Sequence, residues 1–207
     1  MKELVFLLEE ESAKAMLESL LPRILDAGIK PRLLAFEGKQ DLEKQMVKRM
    51  KGYLNPHARF IVMRDQDAAP DCRAVKEALS ARCAEAGRQG VAMVRIACHE
   101  LESFYLADLA AVESGLGITG LAKHQSTAKF RSPDALQKPS NELLTLTKQR
   151  YQKVSGSRAI GHHLNAGNER SSSFKNLIAG IKRMELELLA LHSQSTRLSK
   201  DNSQVAG

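Results

Sequence analysis

The chain is poor in the residues that mark several common protein classes. It has no tryptophan, and aromatic residues make up 4% of its 207 residues, which argues against extensive stacking of single-stranded bases. Its three cysteines, Cys72, Cys83 and Cys98, are never spaced as C-x-x-C, so neither a disulfide framework nor a zinc site is expected. It has no apolar run of about eighteen residues, and acids interrupt the first apolar segment too early for a signal peptide. We therefore expect a cytoplasmic protein with no membrane partner.

The charge of the chain is unevenly distributed. Hydrophobic residues make up 43% of the sequence, enough for one main core and an extension. The net charge is +7, but residues 123–183 hold twelve Lys and Arg against three acids, a net +9, so the rest of the chain sums to −2. A basic region beside an acidic half suits a polyanionic substrate. A solvated basic helical face would give the same composition.

Four short apolar runs alternate with helical patterns over the first hundred residues. The runs cover residues 5–8, 32–36, 59–64 and 91–97, and helical spacing lies between them at residues 12–28, 41–54 and 71–87. Pro22 lies inside the first helix, where its missing N–H should kink or split it, and Asp71 is placed to cap the third. This alternation predicts right-handed crossovers and a parallel sheet covered by helices on both faces.

The pattern becomes mostly helical after the fourth strand. We predict a short helix at residues 99–108, a mobile basic loop at 122–139, and two further helices at 141–154 and 173–192. The domain organisation that follows is an α/β domain at 1–110, a basic helical extension at 111–192 that packs on it, and a flexible tail at 193–207.

The carboxylates that are candidate metal ligands follow three of the four predicted strands. Glu9 follows the first, Asp65 and Asp67 follow the third, and Glu100 and Glu102 follow the fourth. Because the carboxyl ends of parallel strands lie at one edge of a sheet, we expect these acids on one side. Neighbouring carboxylates raise each other's pKa unless a cation neutralises them, and oxygen ligands favour Mg²⁺ or Mn²⁺ over zinc. Aspartates also favour turns and helix starts, and glutamates favour the first turn of a helix, so a purely structural origin is the alternative.

These residues resemble the Toprim domain of primases, topoisomerases and overcoming-lysogenization-defect nucleases, in which one strand ends in glutamate and a later one in Asp-x-Asp. Three later stretches, HELESFYLAD at 99–108, YQK at 151–153 and RSSSF at 170–174, resemble an uncharacterised bacterial Toprim-like family. Members of that family are often encoded beside AAA or SMC-like ATPases in mobile and phage-defence regions. The resemblance covers residues 4–184 and implies an α/β, Toprim-like (Rossmann-like) sheet of about four mainly parallel strands between helices, with a mostly helical C-terminal extension.

The resemblance implies a nuclease of DNA or RNA that depends on Mg²⁺ or Mn²⁺ and works with such an ATPase; a homo-oligomer is compatible with it. Glu9 would be a general acid/base or metal ligand, and Lys153 would stabilise phosphate charge. The metal ligands would be Glu9, Asp65, Asp67 and Glu102, with Glu100 as a further candidate. The candidate nucleic-acid contacts are Lys129, Arg131, Lys153, Arg170 and Lys175, for which ordinary surface charge is the alternative.

Two positions depart from the Toprim pattern. The Toprim glutamate is usually followed by glycine, whereas Glu10 follows Glu9 here, and a second acid common a few residues later is replaced by Ala13. These departures motivate an alternative function, a catalytically silent Toprim-like subunit that binds or regulates an ATPase. A phosphotransferase or phosphatase with a similar sheet is less expected, because the chain has no Gly-rich phosphate loop.

Overall fold

Four parallel β-strands form the sheet at the centre of the structure. The computed structural model describes the backbone of residues 1–204 and the side chains of residues 1–191. The strands are β1 (Glu3–Leu8), β2 (Lys30–Ala35), β3 (Arg59–Asp65) and β4 (Ala92–Ala97), in the order β2-β1-β3-β4, and each neighbouring pair is parallel. The predicted fold class, a parallel α/β sheet between helices followed by a helical C-terminal part, is confirmed.

Helices connect the strands and then form the C-terminal part. The connecting helices are α1 (Glu11–Ile24), α2 (Lys39–Lys51) and α3 (Cys72–Glu85). The later helices are α4 (Glu102–Leu106), α5 (Leu109–Leu116), α6 (Pro139–Leu146), α7 (Lys153–Gly161) and α8 (Ser172–Gln204). The side chain of Asp71 caps α3 by accepting a hydrogen bond from the Arg73 N–H at 2.8 Å, as predicted. Helix α1 continues through Pro22 and ends two residues later, so the proline does not split it.

The central strand β1 is buried on both sides, as its uninterrupted apolar sequence requires. Successive side chains of a strand point to opposite faces. Leu4, Phe6 and Leu8 therefore belong to a core shared with α1, α4, α5, α7 and α8. Val5 and Leu7 belong to a second core shared with α2 and α3. The sheet thus has helices on both faces, and its carboxyl edge lies between these layers.

The C-terminal part is joined to the α/β part by the close packing of α7 against α1. A Cβ atom added to Gly161 would lie 2.6 Å from the Met16 carbonyl oxygen, so only glycine permits this approach. Arg23 of α1 donates hydrogen bonds to the backbone carbonyls of Gly161, His162 and Leu164. Packing and these bonds fix the end of α7 against α1.

One predicted helix of the C-terminal part is wrong. The helix predicted at 141–154 is two helices, α6 and α7, because Lys148 and Gln149 between them take left-handed φ values of 51° and 63°. The segment predicted as a mobile basic loop at 122–139 contains three short 3-10 turns. Its Phe130 is buried, and Gln125 donates to the carbonyls of Leu106 and Phe130. Its mobility stays a prediction.

The tail predicted at 193–207 falls beyond the residues whose side chains are described, and residues 205–207 lie outside the described backbone as well. Within the residues that the structure describes, no helix has both the length and the apolar composition to cross a membrane.

Candidate functional site

Glu9 and Asp65 lie side by side at the carboxyl edge of the sheet because their strands are neighbours. Glu9 directly follows β1, Asp65 ends β3, and the Glu9 N–H donates to the Met63 carbonyl at 3.2 Å. The Asp65 N–H donates to Glu9 Oε2 at 3.0 Å. Burial raises the pKa of Glu9, and the charges of Asp67 and Glu10 raise it further against the opposing effects of this hydrogen bond and of Arg64. The edge therefore holds Glu9 where its charge is disfavoured.

Asp65 is the most strongly perturbed acid of this edge. Part of the residue reaches solvent, but protein surrounds its carboxylate, and this desolvation raises the pKa of Asp65 well above its ordinary value. The charges of Glu102, Glu9 and Glu10 raise it further, while the Leu101 N–H, which donates to Asp65 Oδ2 at 3.2 Å, lowers it. Four acids thus act on one another here, as the order of the strands predicts.

Glu102 is buried at the start of α4, with 2% of its surface exposed. The hydroxyl of Tyr151 donates to Glu102 Oε1 at 2.9 Å and lies 3.1 Å from the hydroxyl of Ser157. Burial raises the pKa of Glu102, whereas the bond from Tyr151 and the charge of Lys153 lower it. The sequence alone predicts no role for Tyr151. The signal that could have indicated one is its position two residues before Lys153, in a stretch that carries the family resemblance.

Lys153 brings a positive charge to this acidic edge from the start of α7. Its Nζ lies 2.6 Å from Glu10 Oε2, and the Ser12 hydroxyl donates to the other oxygen of Glu10. Burial lowers the pKa of Lys153, but the bond to Glu10 and the charges of Glu10, Glu102 and Asp65 outweigh it, so the pKa is raised. Glu10, which stands where the Toprim pattern has glycine, therefore holds the lysine at the site.

Asp67, two residues from Asp65, is paired with cations of the chain, although its charge still acts on Glu9. Its φ of 55° is left-handed, which is uncommon for a residue other than glycine, and its N–H donates to the His99 carbonyl at 2.7 Å. Lys39 Nζ contacts Asp67 Oδ2 at 3.0 Å, and Arg64 Nη2 lies 3.9 Å away. Two cations of the chain therefore neutralise Asp67.

A groove with a volume of about 540 Å³ opens beside Asp67. It is lined by the start of α2, the loop between β3 and α3, the residues after β4 and the residues before α6, including Lys39, His99, Glu100 and Lys138. Glu100 does not join Asp65 and Glu102, because its Oε2 accepts a hydrogen bond from the Ser140 N–H at 2.7 Å.

The predicted nucleic-acid contacts all lie on the surface, but in different electrostatic settings. Lys129 pairs with Glu142 at 2.5 Å and Lys175 with Glu169 at 2.6 Å. Arg131 and Arg170 are exposed and have no ion pair within the described side chains. None of these four residues lines the groove beside Asp67.

Among residues 1–191, no three His, Cys, Asp or Glu side chains are arranged to hold a metal ion as they stand. The donor set of this edge nevertheless fits a hard divalent cation. Glu9, Asp65 and Glu102 offer carboxylate oxygens, the ligands that Mg²⁺ and Mn²⁺ prefer, and the pKa of each is raised chiefly by burial. A bound cation would relieve that cost.

A parallel sheet between helices, with a glutamate after its first strand and Asp-x-Asp after its third, is the α/β fold class that the resemblance predicts. The chain belongs to the family described as a domain of unknown function, DUF4276, whose model matches residues 8–182. The C-terminal region of the Burkholderia pseudomallei OLD protein is similar to it at 16% identity with a TM-score of 0.49, over 88% of this chain and 98% of that one. No curated protein matches the chain significantly.

Proposed function

We propose that this chain is a nuclease that hydrolyses phosphodiester bonds of DNA or RNA with the help of Mg²⁺ or Mn²⁺. The observation that carries the proposal is the group of desolvated acids Glu9, Asp65 and Glu102 at the carboxyl edge, accompanied by the ammonium of Lys153. Burying several acids close together lowers the stability of a fold, and a cation site is the function that accounts for such a group. An AAA or SMC-like ATPase, in a phage-defence or mobile-element setting, is the partner we propose.

The divalent ion would be held by Glu9, Asp65 and Glu102, with Asp67 as the fourth predicted ligand. When bound, it would supply a more acidic water and neutralise charge that develops on phosphate oxygens. Two backbone N–H groups already orient the ligands, because the Asp65 N–H fixes Glu9 and the Leu101 N–H fixes Asp65. The acids would still have to move closer together to hold the ion, because no three of the described side chains are arranged to do so as they stand.

The other residues of the site provide charge and orientation. The raised pKa of Lys153 keeps it an ammonium at neutral pH, so it stabilises phosphate charge and does not act as a base. Tyr151 holds the carboxylate of Glu102 by a hydrogen bond of 2.9 Å. Burial raises the pKa of Glu9, which moves it towards the range in which a carboxyl group can serve in general acid–base catalysis.

Cleavage and metal binding by the purified chain test this proposal. Labelled DNA and RNA oligonucleotides would be incubated with Mg²⁺ or Mn²⁺, and Mn²⁺ binding would be followed separately by electron paramagnetic resonance. Asp65→Asn is expected to lower cleavage by at least about 100-fold, the scale of losing one catalytic group, and to weaken Mn²⁺ binding. Glu77→Gln, which changes an exposed acid within α3, is the matched control. A chain that neither binds Mn²⁺ nor cuts nucleic acid, alone or with its ATPase, would contradict the proposal.

A second candidate function is a catalytically silent subunit that binds or regulates the ATPase. The observation in its favour is the ion pair between Glu10 and Lys153. Glu10 stands where the Toprim pattern has glycine, and its carboxylate occupies the ammonium that would otherwise contact phosphate. Purification of the ATPase complex with the double variant Glu9→Ala and Asp67→Ala separates the two candidates. Undiminished function of that complex supports the silent subunit, whereas its loss supports the nuclease.

A further inference from the structure

The groove beside Asp67 is a cavity that the proposed metal and its carboxylates leave unused. Its volume of about 540 Å³ falls within the range of about 300–1,000 Å³ that is usual for small-ligand sites. It lies at the carboxyl edge of the sheet, where open α/β folds bind their ligands. It shares Asp67 with the predicted metal ligands, so a ligand in the groove would be next to the reaction site.

The groove is lined by cations whose charge is available to a ligand. Lys138, the residue before α6, is exposed and has no ion pair among the side chains described. Lys39, at the start of α2, contacts Asp67, but an ammonium has three N–H donors and this contact uses one. The two acids of the groove are already engaged, Asp67 by Lys39 and Glu100 by the Ser140 N–H. The two lysines balance the two acids of the groove in number, and the ammonium of Lys138, which is paired with neither acid, is the group to which an anion can bind.

The lining of the groove also indicates which part of a nucleic acid it can recognise. It contains no Phe, Tyr or Trp in the part of the chain that the structure describes, so the aromatic platforms on which proteins stack bases are missing. Gln66 makes hydrogen bonds with the Ala69 carbonyl and the His99 N–H, and is mostly buried. The imidazole of His99 and the amide of Gln137 also line the groove. Its lysine ammonium groups contact phosphates without reading sequence.

We infer that this groove binds the backbone phosphate next to the one being cleaved, through Lys39 and Lys138. The inference rests on the proposed nuclease function and adds the path of the substrate. The polynucleotide runs from the carboxylates over Asp67 towards α6, and recognition on this side is independent of base sequence. The basic composition of the C-terminal part favours Lys129 and Lys175 as substrate contacts. The inference assigns the contact to Lys39 and Lys138 instead.

Binding without cleavage tests the inference. Fluorescence anisotropy of a labelled duplex would be measured in Ca²⁺ over a range of salt concentrations, for the wild type and for Lys39→Ala with Lys138→Ala. Each lost phosphate contact lowers the slope of log K against log salt by about 0.9. The double variant is therefore expected to lose about 1.8 from the slope and, at about 0.1 M salt, up to about 60-fold in affinity. Lys138→Ala alone, which leaves the pair of Lys39 with Asp67 intact, is expected to show about half of the slope change.

The matched control is the double variant Lys129→Ala and Lys175→Ala. It removes the same charge from side chains of similar exposure, 52% and 57% against 48% for Lys39, but outside the groove. We expect this control to bind nearly as well as the wild type. If the control weakens binding as much as the groove variant, or more, the inference is overturned while the proposed function stands. If the wild type binds neither DNA nor RNA in Ca²⁺, the proposed function fails and the inference with it.

Discussion

Replacing Gly156 by alanine tests how tightly α7 packs on the ring of Tyr151, the residue that donates a hydrogen bond to Glu102. Gly156 lies inside α7, where helix propensity alone favours alanine over glycine by about 1 kcal/mol. A Cβ atom at this position would lie 2.6 Å from Cδ2 and 2.9 Å from Cε2 of Tyr151, whereas carbon atoms in contact are separated by about 3.5–4.0 Å. The ring of Tyr151 is buried and packs on Tyr105. We predict that the contact outweighs propensity and that the variant is less stable.

The magnitude follows from three contributions. Overpacking a filled core costs about 1–3 kcal/mol. A shift of the ring by about 1 Å, which restores ordinary contact, would also break the bond of 2.9 Å from Tyr151 to Glu102, and a hydrogen bond to a charged group contributes about 1.5–3 kcal/mol. After the gain of about 1 kcal/mol in propensity, the free energy of unfolding should fall by about 1.5–5 kcal/mol, which lowers Tm by about 3–20 °C at this chain length.

Thermal and urea unfolding followed by circular dichroism measure this effect. Gly90→Ala is the control, because a Cβ atom there meets no atom within 4 Å and the change should leave Tm nearly unaltered. Tyr151→Phe removes the hydroxyl but keeps the ring, and it should cost only the hydrogen-bond part. If Gly156→Ala raised Tm, as helix propensity alone predicts, the packing of α7 on Tyr151 and the support of Glu102 by that ring would be refuted.

Two further predictions concern charge and helix ends. In EDTA, the free energy of unfolding should fall as the pH rises from about 4 through the raised pKa of Asp65, because the folded state keeps a proton that the unfolded state has released. Unfolding experiments on Asp65→Asn should show a flatter dependence on pH. A steeper dependence would contradict the prediction. Arg23→Met should lower the free energy of unfolding by about 1.5–3 kcal/mol, since Arg23 donates to three carbonyls at the end of α7; an unchanged urea midpoint would show that these bonds are not significant.

The α/β part could be predicted from the sequence because local patterns determine it. Continuous apolar runs bounded by charges and turn residues marked all four strands within a few residues of their observed bounds. Once parallel strands are expected, the positions of Glu9 and Asp65 at one edge follow without further information. The same rule placed Asp67 with them, but it could not give the left-handed backbone and the contact with Lys39 that direct its side chain elsewhere.

The C-terminal part was harder to predict, because packing determines it more than local propensity does. Lys148 and Gln149 end α6 in left-handed conformations, although neither residue type favours them. Helix α7 contains Gly156 and Gly161, which weaken a helical pattern, and both are needed for close approach to neighbouring groups. The bond between Tyr151 and Glu102 joins residues 49 positions apart, and periodicity carries no information about such a pair.

The order of the strands and the place of α7 also affect when the site can form. The acids of the edge are encoded early in the chain, but the tyrosine and the lysine that orient and balance them come later, with Lys153 lying 88 positions after Asp65. At about 5–20 residues per second on the ribosome, Asp65 would be synthesised about 4–18 s before Lys153. A nascent chain during that interval carries its carboxylates without the groups that hold Glu102 and supply the positive charge. The complete site therefore arises only late in synthesis, after α7 has packed on α1.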